Sequence, residues 1–211
     1  MLDRKEASEL AREMALHKEQ TLHRQAAERF LQFDQQRMID LFELPHDDET
    51  MQITFLGKTY TIMRATGDVL REDGPANEDE TASIFELLTK SEHAPSPTGR
   101  WESIASLCTN TTDTSLKRYV EYLAPFHGRL DLMRESLLRL GAEPSSKGDV
   151  SGILEVFKNV PVWFQYWEAD DEFPASVQFL FDAGITDHFR WSLLWNVMTC
   201  ITSRMKEEAG L

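Results

Sequence analysis

Residues 160 to 182 read VPVWFQYWEADDEFPASVQFLFD. An apolar run broken by four acids and then resumed is the pattern of two strands joined by a polar loop. Alternation over 160 to 168 sets Val162, Phe164, Tyr166 and Glu168 on one side and Trp163, Gln165 and Trp167 on the other. Both sets are bulky, so this strand is expected at the centre of a sheet, covered on both faces. Pro161 has no amide N–H to give a ladder and belongs at the strand's start. Pro174 ends the loop ADDEFPA, and a second strand covers 176 to 182. Phe173, lodged between charges, is expected to fold back onto the core and anchor the loop.

Downstream, Leu193, Leu194, Val197, Met198 and Ile201 recur at helical spacing, predicting a helix from 188 to about 206. Upstream, 128 to 140 reads as a helix with Leu130, Met133, Leu137 and Leu140 on one face and Gly141 as its stop. Another helix runs to about Leu123, with Ser115 as its cap. The cluster CTNTTDTS, 108 to 115, reads as a loop leading into that cap, and SEHAPSPTG, 91 to 99, as a loop. Residues 81 to 88 form a short helix. The acidic stretch REDGPANEDE, 71 to 80, reads as a solvated linker. MQITFLGKTYTIM, 51 to 63, predicts a β-hairpin with strands near 52 to 56 and 59 to 63 about a Gly57-Lys58 turn.

The N-terminal stretch, 3 to 35, has no Gly or Pro and is rich in helix formers. Leu10, Met14, His17 and Thr21 form one apolar stripe, and Ala26, Ala27, Phe30 and Phe33 mark a second, with room for one break. The expected organisation is an N-terminal helical segment over 1 to 45, able to dock a protein partner, and a domain over 46 to 211. The fold class is α+β: a small antiparallel sheet wrapped by helices.

With 36 acidic against 22 basic residues the net charge is −14. Such a surface repels phosphate backbones and anionic headgroups, so neither nucleic acid nor membrane is an expected partner. The charged start lacks the apolar core of a secretory signal, and no run is long enough to span a bilayer, which points to the cytoplasm. Cys108 and Cys200 are too few for an all-cysteine zinc or iron–sulfur centre and read as core thiols. The six histidines show no ligand spacing, and no phosphate-binding glycine loop, nucleophile elbow or calcium-loop pattern is present.

The chemistry therefore concentrates around the opening stretch. Trp163, Tyr166, Trp167 and Glu168, with Arg100 and Trp101 at the mouth, form a candidate site for a small molecule or cofactor of unknown identity. Asp170, Asp171 and Glu172 are candidate ligands for a hard cation, or, with Glu168, candidate acid–base groups of an enzyme. An acidic interaction module is the third reading.

The same stretch resembles a family of uncharacterised proteins, DUF3786, whose pattern runs W-x-G-D-E-E-F-P-A followed by L-F-D. Trp167, Glu172, Phe173, Pro174, Ala175, Leu180, Phe181 and Asp182 match it, as do FLGKTYTIM, ASIFELLTK, GRWESIASL and LLRLGAEPSSKGD. The likeness covers about residues 50 to 205. Ala169 stands where the pattern has Gly, and Asp171 where it has Glu. The family occurs chiefly in anaerobic bacteria and archaea, and some relatives carry an added iron–sulfur domain. The resemblance thus implies an accessory or ligand-binding role in anaerobic metabolism.

Overall fold

The computed structural model describes residues 21, 24–107 and 113–211, and within them an α+β fold. The expected stripe of Leu10, Met14 and His17, Cys108 and most of the CTNTTDTS cluster lie outside the described residues. Residues 24–30 are helical and the chain breaks at 31–34. There Asp34 caps α1 (Gln35–Phe42) by accepting from the Arg37 N–H at 3.1 Å. Phe30, Met38 and Ile39 are buried, with Phe30 stacked on Phe85 at 4.2 Å, whereas Phe33 is exposed.

Two antiparallel sheets form in place of the single small one expected. The first joins β1 (Thr50–Phe55), β2 (Lys58–Met63), β3 (Val69–Arg71) and β4 (Gly74–Pro75) in sequence order. The first hairpin is present, but Phe55 pairs with Lys58, so the turn residues are Leu56 and Gly57, at φ 47° and 72°. The predicted Gly57-Lys58 turn is one residue out of place. A two-residue turn of this kind needs two positive φ values, and Leu56 accepts one because its side chain is buried, 1 % exposed.

The predicted solvated linker at 71 to 80 is overturned. Its first half makes the β3–β4 hairpin. Its second half opens α2 (Glu78–Lys90), with Asn77 and Glu80 capping each other's backbone N–H groups. Glu80 is 1 % exposed and accepts from the Tyr60 hydroxyl at 2.7 Å and from Arg71 at 3.2 Å, with Arg204 at 4.0 Å. Burial and the Glu80 hydrogen bond push the Tyr60 phenol far up, so it stays a neutral donor. A carboxylate this deep is tolerable only because it is paired. The sequence shows Arg71 and Glu80 in one stretch, but not the fold that brings them together with Arg204.

The second sheet has the order β5-β9-β8-β7-β6, with β5 (Trp101–Ser103), β6 (Glu143–Pro144), β7 (Val150–Phe157), β8 (Val160–Trp167) and β9 (Ser176–Asp182). The opening stretch is thus a hairpin at the sheet's centre, and Pro161 lies near its start as expected, opposite Glu155. Strand β7 has no clear alternation and contains Gly152. A Cβ there would meet Ala142 Cβ at 3.0 Å and Leu137 Cδ2 at 3.1 Å, so the glycine lets helix and strand approach. The inner face carries Val162, Phe164, Tyr166, Val177, Phe179 and Phe181, all buried. Against it pack α4 (Asp113–Leu123) and α5 (Leu130–Arg139), which follow the short α3 (Ile104–Leu107). The Tyr119 ring meets Phe179 edge-on at 5.6 Å. Helix α6 (Leu194–Ala209) lies across α2 and α5 and buries Cys200 as a free thiol, as expected of a core cysteine. No helix among the described residues is long and apolar enough to cross a membrane.

Candidate functional site

Strand alternation separates the six predicted ligand-binding residues. Trp163 and Trp167 are half-buried on the outer face of β8, and Trp101 reaches the same face from β5, its ring edge-on to Trp163 at 5.5 Å. The Trp163 indole is fixed: its Nε1–H donates to Ser151 Oγ at 2.9 Å, and that hydroxyl donates to the Phe164 carbonyl at 3.0 Å. Only the inner face of this central strand is fully covered. Arg100 is exposed and lies 3.6 Å from Glu102.

Tyr166 and Glu168 lie on the other side. Glu168 touches His127 Nδ1, and its backbone N–H donates to Asp149 at 2.8 Å. Burial, then the negative charges of Glu168 and Asp149, push the Tyr166 phenol up. Five of the six therefore make two groups on opposite faces, three tryptophans on one and Tyr166 with Glu168 on the other, and Arg100 stands apart just before β5.

The acidic turn is ordered from within. Asp170 Oδ1 accepts from the N–H groups of Glu172 at 2.8 Å and Phe173 at 2.7 Å, and these hydrogen bonds hold the Asp170 carboxyl below its usual range. Asp171 and Glu172 are exposed. Among the described residues no group of three or more His, Cys, Asp or Glu could hold a metal ion. Ala169 keeps a negative φ, so the turn needs no glycine there. The expectation for Phe173 is overturned: its ring is 66 % exposed. The turn is anchored by the Asp170 carboxylate, and its aromatic residue is left outside.

A cleft of about 470 Å³ opens elsewhere, between the end of α1, the first hairpin and the β7–β8 turn. Its floor is apolar, with Leu44, Ile53, Leu87 and Phe157, and its rim is polar, with Gln52, Thr54, Thr59 and Asn159. Lys158 and Glu43 bridge the rim at 3.0 Å. Glu43 and Asn159 both hold positive φ, 52° and 62°, and only one other non-glycine residue, Leu56, does so among the described residues. Each has a local cause: Glu43 is the left-handed C-cap of α1, and Asn159 sits in the two-residue β7–β8 turn, so the rim is fixed by two element ends. Sequence reasoning missed this cleft. Asn159 in a short polar gap between apolar runs is a turn signal, but nothing in the sequence pairs Lys158 with Glu43, 115 positions away.

No curated protein matches the chain, and no solved structure does. The family model described as "Domain of unknown function (DUF3786)" matches residues 34–204, from the cap of α1 to the buried Arg204 of α6. That span takes in both sheets, the cleft and the acidic turn, and the chain belongs to the DUF3786 family.

Proposed function

We propose that this chain is a small-molecule-binding domain and that the ligand sits in the 470 Å³ cleft. The observation that carries the reading is the cleft's construction: an apolar floor, a rim of polar side chains from the hairpin and the β7–β8 turn, and two non-glycine rim residues at positive φ. Small-molecule sites are built in this way and in this size range, about 300 to 1,000 Å³. Phe157 and Ile53 would cover an apolar ligand body, while Asn159, Gln52 and the Lys158–Glu43 pair would fix its polar groups. A role in anaerobic metabolism, carried by the family's distribution, belongs to the same proposal.

The test is a ligand-observed NMR fragment screen, with native mass spectrometry of anaerobically purified protein in parallel. Thr59 is exposed on the rim, opposite Thr54 in the hairpin, so Thr59→Trp fills the cleft without entering the core. Fragments and any retained small molecule should bind the wild type and be lost in Thr59→Trp. Equal binding by both proteins would place the ligand elsewhere and end this reading.

A further inference from the structure

We propose that the tip of the β8–β9 hairpin and the outer sheet face behind it form a docking surface for a protein partner that presents an apolar socket inside a basic rim. Phe173 is the anchor. A ring 66 % exposed on a loose loop would mean little, but here the Asp170 carboxylate grips the N–H groups of Phe173 and Glu172, and the Asp170 N–H donates to the Phe173 carbonyl at 3.0 Å. The backbone that carries the ring is fixed in advance of binding, which lowers the ordering cost of inserting it into a partner.

Behind the tip, Trp167, Gln165, Trp163 and Trp101 occupy the outer face. None is charged, in a chain that is 27 % charged residues. Aromatic enrichment with charge depletion is the composition of an interface centre. Gln165 lies between the two tryptophans of β8 on this face and is 4 % exposed.

The charges around the tip choose the partner. Asp149, Asp171 and Glu172 are exposed there, with two cations beside them, Lys147 and Arg134, which donates to the Asp149 carbonyl at 3.1 Å and pairs with Asp131. This rim repels nucleic acid. It also disfavours a second copy of the chain, since a two-fold contact would set the same acids against each other. A basic rim on a different protein is what the charges complement.

The test places benzoylphenylalanine at position 173 of the full chain in its native host and, as a control, at position 138, where Leu138 is exposed on α5. Irradiation should give an adduct from 173 and not from 138, joined to a partner peptide of net positive charge. Its yield should fall about fivefold when Asp171→Asn and Glu172→Gln are combined, and should fall likewise with added salt. Phe173→Ala should melt with the wild type, so loss of the contact is not loss of the fold. The proposal is overturned by no adduct at 173, by the same adduct at both positions, by a neutral or acidic contact peptide, by an adduct to a second copy, or by a yield indifferent to the two neutralisations.

Discussion

At the scale of single residues, the acids of the family-like motif divide by what they hold. Asp182 closes the motif, is 4 % exposed, and binds a distant loop. Its Oδ1 accepts from the N–H groups of Thr98 at 3.0 Å and Gly184 at 2.9 Å, and its Oδ2 from Gly99 at 2.8 Å. Burial pushes this carboxyl up, but the three backbone donors and the Thr98 hydroxyl outweigh it and hold it below the usual range. The motif LFD and the segment leading to GRW are therefore two halves of one contact. Because the folded value is depressed, the stabilisation is complete above the unfolded carboxyl's ~3.9 and drains away as pH falls through the folded value. Asp182→Asn turns an amide N–H toward a backbone N–H and should cost about 1 to 3 kcal/mol at pH 7. The gap to the wild type should narrow at pH 3, below the unfolded carboxyl's ~3.9, where the unfolded chain takes up the proton that the folded carboxylate resists. Urea melts of both proteins at the two pH values check this, and a gap that does not change with pH would mean that the charge is irrelevant.

At the scale of elements, the first hairpin sets two local effects against each other. Asn-Gly is the favoured pair for a two-residue turn with both φ values positive, and this chain has Leu56-Gly57. Leu56→Asn would relieve left-handed strain of about 1 to 2 kcal/mol. It would also give up about 1.5 to 3 kcal/mol of burial and seat an amide in an apolar site. Burial wins, so the substitution that looks ideal for the turn should destabilise by about 2 kcal/mol, and a thermal melt above the wild type would reverse the ranking. This contest is why periodicity located the hairpin and turn propensity misplaced its apex by one residue. The same division runs along the chain. The 160 to 182 hairpin, α5 and the body of α6 were legible because their apolar spacing is local, but α6 starts at Leu194 and not at 188, after the 3-10 turn Trp191–Leu193. Strand β7 was not, because Gly152 serves a helix packed against it. Glu80 read as solvated because its partners, Arg71 and Arg204, come from β3 and α6. Of the candidate site, the shared side of Trp163 and Trp167 could be read from alternation and the place of the acidic turn from its composition, but not the Asp170 hydrogen bonds that order it in place of Phe173. The cleft could not, since its rim is assembled from residues more than a hundred positions apart.

At the scale of the whole molecule, two sheets of separate topology share one hydrophobic core that runs from Phe30 to Met205. The tie between them is narrow. Phe157 stacks on Phe55 at 4.6 Å and lies 6.0 Å from Phe189, and the Leu56 N–H donates to the Val156 carbonyl at 2.9 Å across the same junction. Lys58 reaches Glu208 of α6 at 3.0 Å, but both are near the surface and contribute little. A chain of 211 residues is long enough for its parts to unfold separately, so cooperativity here depends on that aromatic contact. The distribution of tryptophan makes this measurable. All five, Trp101, Trp163, Trp167, Trp191 and Trp195, belong to the second sheet and the C-terminal helices, and none to the first sheet. Fluorescence therefore follows one part of the molecule while far-ultraviolet circular dichroism follows all of it. In the wild type the two urea transitions should coincide. Phe157→Ala removes a ring that is 2 % exposed, should cost about 3 to 5 kcal/mol, and should pull the two curves apart, the first sheet melting at lower urea than the tryptophans report. Curves already separate in the wild type would show that the shared core does not couple the sheets. Curves that shift together in Phe157→Ala would place the coupling in α2 and α6 instead, through Glu80 and Arg204.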